Sequence, residues 1–100
     1  MANTTIELLD EMRKNIQVFS DYALAKQLGV LPQTISNYRH NRTQMSDEVA
    51  VLVANILGRA PAPILALLSS ERAKTPEVAK IWREAAKALI RSAKAGKGGR

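Results

Sequence analysis

The sequence predicts an all-α fold of five or six helices, and three observations support this prediction. Of the 100 residues, 46% are hydrophobic but only four are aromatic, which suits helices packed through aliphatic side chains. Apolar residues recur at three- and four-residue spacing along the chain, as they do on one face of a helix. Helix-start and helix-stop signals separate these segments: Ser20, Ser46 and Thr75 as N-caps, and Gly29 and Gly58 at helix ends.

The length and composition exclude several classes of protein. One hundred residues suffice for one domain with a single core. No run approaches the ~20 apolar residues of a membrane span, and the N-terminus is acidic without the pattern of a signal peptide, so we expect a cytoplasmic protein. With no cysteine and one histidine, the chain lacks the ligands of a zinc finger or a multi-histidine metal site, and we expect no cofactor.

The net charge of +6 is concentrated near the C-terminus. Residues 1–84 carry ten Lys/Arg and nine Asp/Glu, whereas residues 85–100 carry five Lys/Arg and no acidic residue. This segment favours a polyanionic partner, and the alternative is a solvated end that aids solubility. Residues 95–100 contain no core residue and are predicted to form a disordered basic tail.

Helices 1 and 4 are predicted to be amphipathic. Thr4 is expected to begin helix 1, with Glu7 three residues later completing a capping box. Ser46 is expected to cap helix 4 and Gly58 to end it. The predicted inner faces are Ile6, Leu9, Met12 and Ile16 for helix 1, and Val49, Leu52, Val53 and Ile56 for helix 4.

Two short helices joined by a tight turn are predicted between residues 20 and 42. Ser20 caps the first, over residues 21–28, and Phe19 and Leu24 have the spacing of a hydrophobic staple. Gly29 can adopt the positive φ that often ends a helix. Pro32 suits the first position of the second helix, over residues 32–40, because no N–H is needed there. A sharp turn containing Gly is typical of helix-turn-helix units.

The second of these helices is predicted to have one buried face and one polar face. Ile35 and Tyr38 point into the core at helical spacing. The polar face consists of amides and hydroxyls with few charges, which suits contact with base edges better than a merely solvated surface does. Its members are Gln33, Thr34, Ser36, Asn37 and His40.

Several apolar and small residues recur here at family-specific offsets: Leu24-Ala25, Gly29-Val30, Ile35 and Tyr38. In these positions the segment resembles the helix-turn-helix of Cro/CI-type phage repressors, the lambda-repressor-like (XRE) family. The resemblance covers residues 20–58, and a looser similarity to short phage-encoded regulators continues beyond them. Three positions depart from the family's pattern: Asp21 replaces a frequent Gln, Leu31 replaces a Ser/Thr cap, and Asn41 replaces a Gly.

The resemblance implies that helix 3 reads double-stranded DNA in the major groove. The base-facing positions it implies are Pro32, Gln33, Ser36 and Asn37. The amides of Gln33 and Asn37 can each bond adenine N6 and N7, which is worth roughly 1–3 kcal/mol of discrimination. Pro32 offers only apolar contact, for example with a thymine methyl group. For all of these residues, the alternative is an ordinary exposed side chain.

Contact with the DNA backbone is predicted for residues around the end of helix 3. Cations there face the phosphates when the helix lies in the groove. For His40 the alternative is stabilisation by the helix dipole alone, and for Tyr22 it is a packing role. The predicted backbone-contacting residues are Thr34, Arg39, His40, Arg42, Thr43 and Tyr22.

Residues 59–94 are predicted to be a helical extension of the same domain and a possible dimerisation arm. Pro63 could begin helix 5, and Thr75 and Pro76 begin helix 6. In helix 6, Val78, Trp82, Ala85 and Leu89 share one face, opposite a basic face. That basic face is solvated, phosphate-binding or membrane-surface, and the weak, Ala-rich inner face argues against the last of these. That basic face contains Lys80, Arg83, Lys87, Arg91 and Lys94. The dimer-interface candidates are Ile64, Leu67, Leu68, Trp82 and Leu89.

These observations predict a transcription regulator of the phage-repressor type that binds an operator as a homodimer on an inverted repeat. The sequence predicts no enzyme, because it lacks a nucleophile–base arrangement and a Gly-rich phosphate loop. No membrane partner or small-molecule ligand is expected. Two alternatives remain: a protein-interaction module, such as an antitoxin-like or anti-repressor partner, and a non-specific nucleic-acid-binding protein driven by the basic tail.

Overall fold

A computed structural model describes the backbone of residues 3–98 and the side chains of residues 3–93, and within these residues all regular structure is helical. The all-α prediction is confirmed. The chain divides into two compact units, Met1–Arg59 and Ala60–Arg100, with the boundary one residue after the predicted position 58. We call them the N-terminal and C-terminal units. The helices are α1 (Thr4–Asn15), α2 (Asp21–Leu28), α3 (Pro32–Arg39), α4 (Asp47–Leu57), α5 (Pro61–Arg72) and α6 (Pro76–Gly98).

The N-terminal unit packs α1 to α4 around one aliphatic core. Helix α2 lies against α3, and α1 contacts α2, α3 and α4. Ile35 and Tyr38 of α3 are buried as predicted, and Leu24, Ala25 and Leu28 of α2 are buried with them. Met45, in the loop between α3 and α4, is completely buried. The fully buried large side chains of this unit are Leu9, Met12, Leu24, Ile35, Met45, Val53 and Thr5.

Local capping chemistry sets the ends of α2 and α4. The Ser20 hydroxyl accepts a hydrogen bond from the Ala23 N–H at 3.1 Å, and the Ser46 hydroxyl accepts one from the Val49 N–H at 3.2 Å. Both helices end at a glycine in the left-handed region, with φ of 67° at Gly29 and 69° at Gly58. The predicted bounds of α2 are therefore confirmed, and so is the end of α4 at its glycine.

Several predicted details differ in the structure. Helix α1 begins at Thr4 as predicted, but its capping residue is Asn3 rather than Thr4, since the Asn3 Oδ1 accepts from the Ile6 N–H at 3.1 Å. Other differences arise because burial depends on neighbours distant in sequence. Phe19 is 90% exposed and forms no staple. Leu52 is 39% exposed, because α4 instead buries its two small residues Ala50 and Ala54 beside Val53. Half-buried positions on the predicted faces are Ile6, Ile16, Val49 and Ile56.

The C-terminal unit is a pair of packed helices, α5 and α6. Helix α5 begins at Pro61, one half-turn before the predicted Pro63. Ile64 and Leu68 are 1% and 0% exposed, so the prediction that they form a dimer interface is wrong: they belong to the core of the folded chain. Leu67 is half-buried.

Helix α6 begins as predicted, with the Thr75 hydroxyl accepting from the Val78 N–H at 3.3 Å and Pro76 in its first turn. Its backbone is helical through Gly98. The disordered tail over residues 95–100 stays a prediction, and residues 99–100 lie outside the described residues. Among the described residues, no helix has both the length and the apolar character needed to cross a membrane.

Candidate nucleic-acid interface

Helix α3 presents a polar face directly opposite its buried face. Ile35 and Tyr38 are 0% and 4% exposed. At ~100° per residue, the opposite side of the helix carries Gln33, Ser36, Asn37 and His40. Of these, Gln33 and His40 are exposed and Ser36 and Asn37 are half-buried, as is Thr34 nearer the core. Pro32 is exposed at the start of the helix.

The two amides of this face are hydrogen-bonded to each other. Gln33 Nε2 donates to Asn37 Oδ1 at 3.1 Å, across one helical turn. The bond uses one N–H of Gln33 and leaves its second N–H and its Oε1. One donor and one acceptor on the same planar amide match the edge of an adenine, which offers N7 and the N6 amino group.

The imidazole of His40 is bound to its own helix. Its Nδ1 lies 2.9 Å from the Ser36 carbonyl oxygen, and 3.5 Å from the Ser36 hydroxyl. Because a carbonyl oxygen only accepts, Nδ1 carries the proton and Nε2 of the neutral ring is an acceptor. A phosphate oxygen also accepts, so the neutral ring cannot hydrogen-bond a phosphate through Nε2, whereas the protonated ring can.

Arg39 is directed to the protein rather than to solvent. Its side chain is 21% exposed, and its guanidinium donates to both carboxylate oxygens of Asp21 and to Asp10. Burial lowers the pKa of Arg39, but the hydrogen bonds to Asp21 and Asp10 and their negative charges outweigh it, so the net pKa is raised. The predicted role of Arg39 as a phosphate ligand is therefore replaced by pairing between helices.

The remaining predicted backbone-contacting residues are accessible. Arg42 and Thr43 are exposed in the loop after α3, which Asn41 enters with a φ of 58°. Tyr22 on α2 is 61% exposed, which argues against the alternative packing role, and the Lys26 ammonium lies 5.5 Å from the centre of its ring. A cation above an aromatic face is weakly attracted to it.

One exposed residue beside this face was missed as a candidate. Leu31 is 71% exposed, immediately before Pro32, and α3 has no side-chain cap. From the sequence, Leu31 was noted only as a departure from the usual Ser/Thr. An aliphatic residue where a capping hydroxyl is usual is itself a signal that the position serves something other than helix capping.

Comparison with known proteins shows the family of this chain. It is 35% identical over 86 residues to the uncharacterized protein Gp-c of Pseudoalteromonas phage PM2, an alignment that covers 81% of this chain and 92% of that protein. The chain belongs to the Gp-c family. It matches no established protein-family profile and no solved structure.

Charge is divided unequally between the two units of this Gp-c relative. Residues 1–59 contain six Lys/Arg and six Asp/Glu, so the unit that carries α3 has no net charge. Residues 60–100 contain nine Lys/Arg and three Asp/Glu, so they hold the whole net charge of +6. In the N-terminal unit Arg39 and Arg59 are also paired with carboxylates. Long-range attraction to a polyanion therefore originates mainly in the C-terminal unit.

Proposed function

We propose that this member of the Gp-c family is a sequence-specific double-stranded DNA-binding regulator of transcription, with α3 as the recognition helix. The observation that carries the proposal is the hydrogen-bonded pair of amides, Gln33 and Asn37, on the solvent-facing side of the second helix of a helix-turn-helix. The resemblance of residues 20–58 to the Cro/CI-type family points to the same function. Because the relative is a phage protein, we expect the operator in a phage genome.

In this proposal the two amides have different roles. Gln33 is the base-reading residue, since its exposed amide retains one donor and one acceptor for adenine N7 and N6. Asn37 is half-buried and orients that amide through the 3.1 Å hydrogen bond. An amide held in one orientation loses less conformational entropy on binding. The paired Gln33 therefore distinguishes adenine from other bases better than a free glutamine would.

The neighbouring residues extend the proposed contact on both sides. Leu31 and Pro32 offer apolar surface for a thymine methyl group, so together with Gln33 they favour A·T pairs. Arg42, Thr43 and Tyr22 are accessible for phosphates. Arg39 is omitted from this set because its guanidinium is bound to Asp10 and Asp21.

The test begins with selection of bound duplexes from random DNA, followed by affinities for the selected site and for each single base-pair change. Gln33→Ala should reduce discrimination at one A·T position by about 5- to 150-fold, which corresponds to roughly 1–3 kcal/mol. Asn37→Ala should reduce discrimination at the same position to a smaller extent. Gln27→Ala, at an exposed amide on α2, is the matched control. Unchanged selectivity in both α3 variants would refute the base-reading role.

A second candidate function is supported by the charge of the C-terminal unit: non-specific binding of nucleic acid. Nine Lys/Arg against three Asp/Glu in residues 60–100 suffice for affinity without sequence preference. The random selection distinguishes the two functions, because a non-specific protein enriches no common sequence.

A further inference from the structure

The loop that follows α3 is fastened at both ends to the first turn of α1. At the start of the loop, Asn3 Nδ2 donates a hydrogen bond to Asn41 Oδ1 at 2.9 Å. At its end, the Met45 N–H donates to the Thr5 hydroxyl at 3.3 Å. Residues 42–43, both exposed, lie between these two bonds. The loop is therefore held in place before any ligand binds.

The bonds of Asn3 determine the orientation of both amides. Asn3 Oδ1 accepts from the Ile6 N–H at 3.1 Å as the N-cap of α1, so the group that Asn3 directs towards Asn41 is its NH2 donor. A donor needs an acceptor, and the atom of Asn41 that faces Asn3 is therefore its oxygen. Because an amide carries its oxygen and its nitrogen on opposite branches, the NH2 group of Asn41 is directed away from Asn3.

The side chain of Asn41 is not needed to end α3. The backbone of Asn41 has a φ of 58°, in the left-handed region. This conformation closes the helix, since the Asn41 N–H donates to the Tyr38 carbonyl at 3.1 Å and the Arg42 N–H donates to the Asn37 carbonyl at 2.9 Å. Glycine closes helices in the same way without strain. An asparagine at this position therefore adds an amide that the fold of the backbone does not require.

We propose that the Asn41 amide binds a phosphate of the DNA backbone through its NH2 group, with Asn3 as its positioning residue. This inference rests on the proposed function, in which α3 lies in the major groove and the loop after it meets the phosphates. A phosphate oxygen accepts hydrogen bonds, so it matches a donor that is directed outward. Asn41 is exposed and adjoins the proposed phosphate ligands Arg42 and Thr43.

The charges around the end of α3 favour an uncharged phosphate ligand. Arg39 is bound to two carboxylates. The neutral ring of His40 offers no N–H to a phosphate, because its Nδ1 lies 2.9 Å from the Ser36 carbonyl oxygen. Arg42 remains as an exposed cation in the loop. An oriented amide beside Arg42 supplies a further donor within a unit that has no net charge.

Asn3 contributes by fixing the Asn41 amide before DNA binds. Without the bond from Asn3, the Asn41 amide would be free to turn over and present its oxygen, which a phosphate oxygen repels. A side chain held in one orientation loses less conformational entropy on binding. Loss of the Asn3 amide should therefore weaken binding less than loss of the Asn41 amide.

The decisive variant is Asn41→Asp, which separates the phosphate contact from the link to α1. Aspartate tolerates the left-handed region, and its Oδ1 still accepts from Asn3, so the loop stays fastened. The outward atom becomes a carboxylate oxygen in place of a donor. We expect Asn41→Asp to weaken binding to every duplex by more than about tenfold at low salt, and by less as salt screens the repulsion.

Two further variants measure the contact and its orientation. Asn41→Gly keeps the backbone conformation and should weaken binding about tenfold, near the lower limit for a hydrogen bond to a charged group. Asn3→Ser keeps an N-cap for α1 but is too short to reach Asn41, and should weaken binding less. The double variant should bind as Asn41→Gly does, because Asn3 acts through Asn41.

The salt dependence of binding distinguishes this contact from that of a cation. A neutral donor releases no counterion, so Asn41→Gly should leave the slope of log affinity against log salt unchanged. Arg42→Ala should reduce this slope by about 0.9. Asn15→Asp is the matched control for Asn41→Asp, because it makes the same change at an exposed residue about 18 Å along α1 from Asn3.

A purely structural link between Asn3 and Asn41 gives a different result. Asn41→Asp would then bind normally, because that link is kept. Normal binding by Asn41→Asp, or an equal loss in Asn15→Asp, overturns the proposal. An Asn3→Ser effect that persists in the Asn41→Gly background overturns the positioning role of Asn3. Circular dichroism and urea unfolding establish that each variant is folded.

These affinities can be measured on any duplex, because a phosphate contact carries no sequence information. Failure of the regulator proposal appears as unchanged selectivity in Gln33→Ala. Failure of the phosphate contact appears as unchanged affinity in Asn41→Asp, so the two failures are distinguishable. A chain that binds no duplex overturns both proposals.

Discussion

Arg39 and Asp21 form a two-point ion pair that joins α3 to α2. Nε and Nη2 of Arg39 each donate at 3.0 Å to a different oxygen of the Asp21 carboxylate. The third nitrogen, Nη1, donates to Asp10 on α1 at 2.6 Å. One guanidinium therefore fixes the end of α3 to two other helices. Since the amides of Gln33 and Asn37, which we propose as the base-reading pair, are on α3, this ion pair also determines how they are presented.

Breaking this pair should destabilise the N-terminal unit. Arg39→Met should lower the free energy of unfolding by about 1 kcal/mol. This value lies between the contribution of an exposed ion pair and that of a buried hydrogen bond to a charged group. Urea unfolding should be followed by far-UV circular dichroism, because the only tryptophan, Trp82, reports on the C-terminal unit. Arg42→Met, at an exposed arginine, is the control. If Arg39→Met and Asp21→Asn have simply additive effects in a double-mutant cycle, the two residues are not coupled.

Thr5 should hold the loop before α4 in place. Its hydroxyl, in a side chain 1% exposed, accepts from the Met45 N–H at 3.3 Å. Thr5→Val preserves the shape but leaves that buried N–H without its partner, at a cost of about 1–3 kcal/mol. Amide hydrogen exchange should show faster exchange at Met45 in Thr5→Val and near-normal protection in Thr5→Ser. Equal protection in both variants would contradict the role of the hydroxyl.

Features set by neighbouring residues could be predicted from the sequence. The bounds of α2 follow from Ser20 and Gly29, because a cap and a left-handed turn need only local backbone groups. The proximity of Gln33 and Asn37 follows from a spacing of four residues on a helix.

Features set by distant residues could not be predicted. Arg39 is paired with carboxylates 18 and 29 residues away, so its sequence context suggested a free cation instead. The burial of Met45 and the exposure of Leu52 could not be predicted for the same reason. Periodicity gives the side of a helix that is apolar, but whether a neighbour covers a given side chain depends on the packing of the whole unit.

The turn between α2 and α3 should depend on the backbone of Gly29 and not on space around it. Its φ is 67°, and an added Cβ would meet no atom within 4 Å. Gly29→Ala should therefore cost only the conformational strain, about 1–2 kcal/mol. Gly29→Asn should cost less, because Asn tolerates the left-handed region, as Asn41 does at a φ of 58°. Equal losses in the two variants, measured by urea unfolding, would point to crowding.

Tyr38 should make the N-terminal unit sensitive to alkali. Burial raises the pKa of its phenol above the usual value of about 10. Above about pH 10 the unfolded chain releases this proton while the folded chain keeps it, so stability falls as pH rises. Tyr38→Phe should remove this loss of stability, measured by urea unfolding above about pH 10. Tyr22→Phe, at an exposed position, should leave the loss unchanged. A phenolate absorbance titration of Tyr22→Phe, which retains only Tyr38, should have its midpoint above the usual value.

The basic face of α6 should contribute affinity for DNA without contributing selectivity. Lys80, Arg83 and Lys87 are exposed, and the C-terminal unit holds all of the net charge. If these cations neutralise phosphates, replacing all three with Gln should weaken binding to every duplex alike. It should also reduce the slope of log affinity against log salt by up to about 2.7, or roughly 0.9 per phosphate contact. Preference for the selected site should remain, because it depends on Gln33. An unchanged slope would mean that the face is only solvated, and loss of the preference itself would mean that sequence is read through α6 rather than α3.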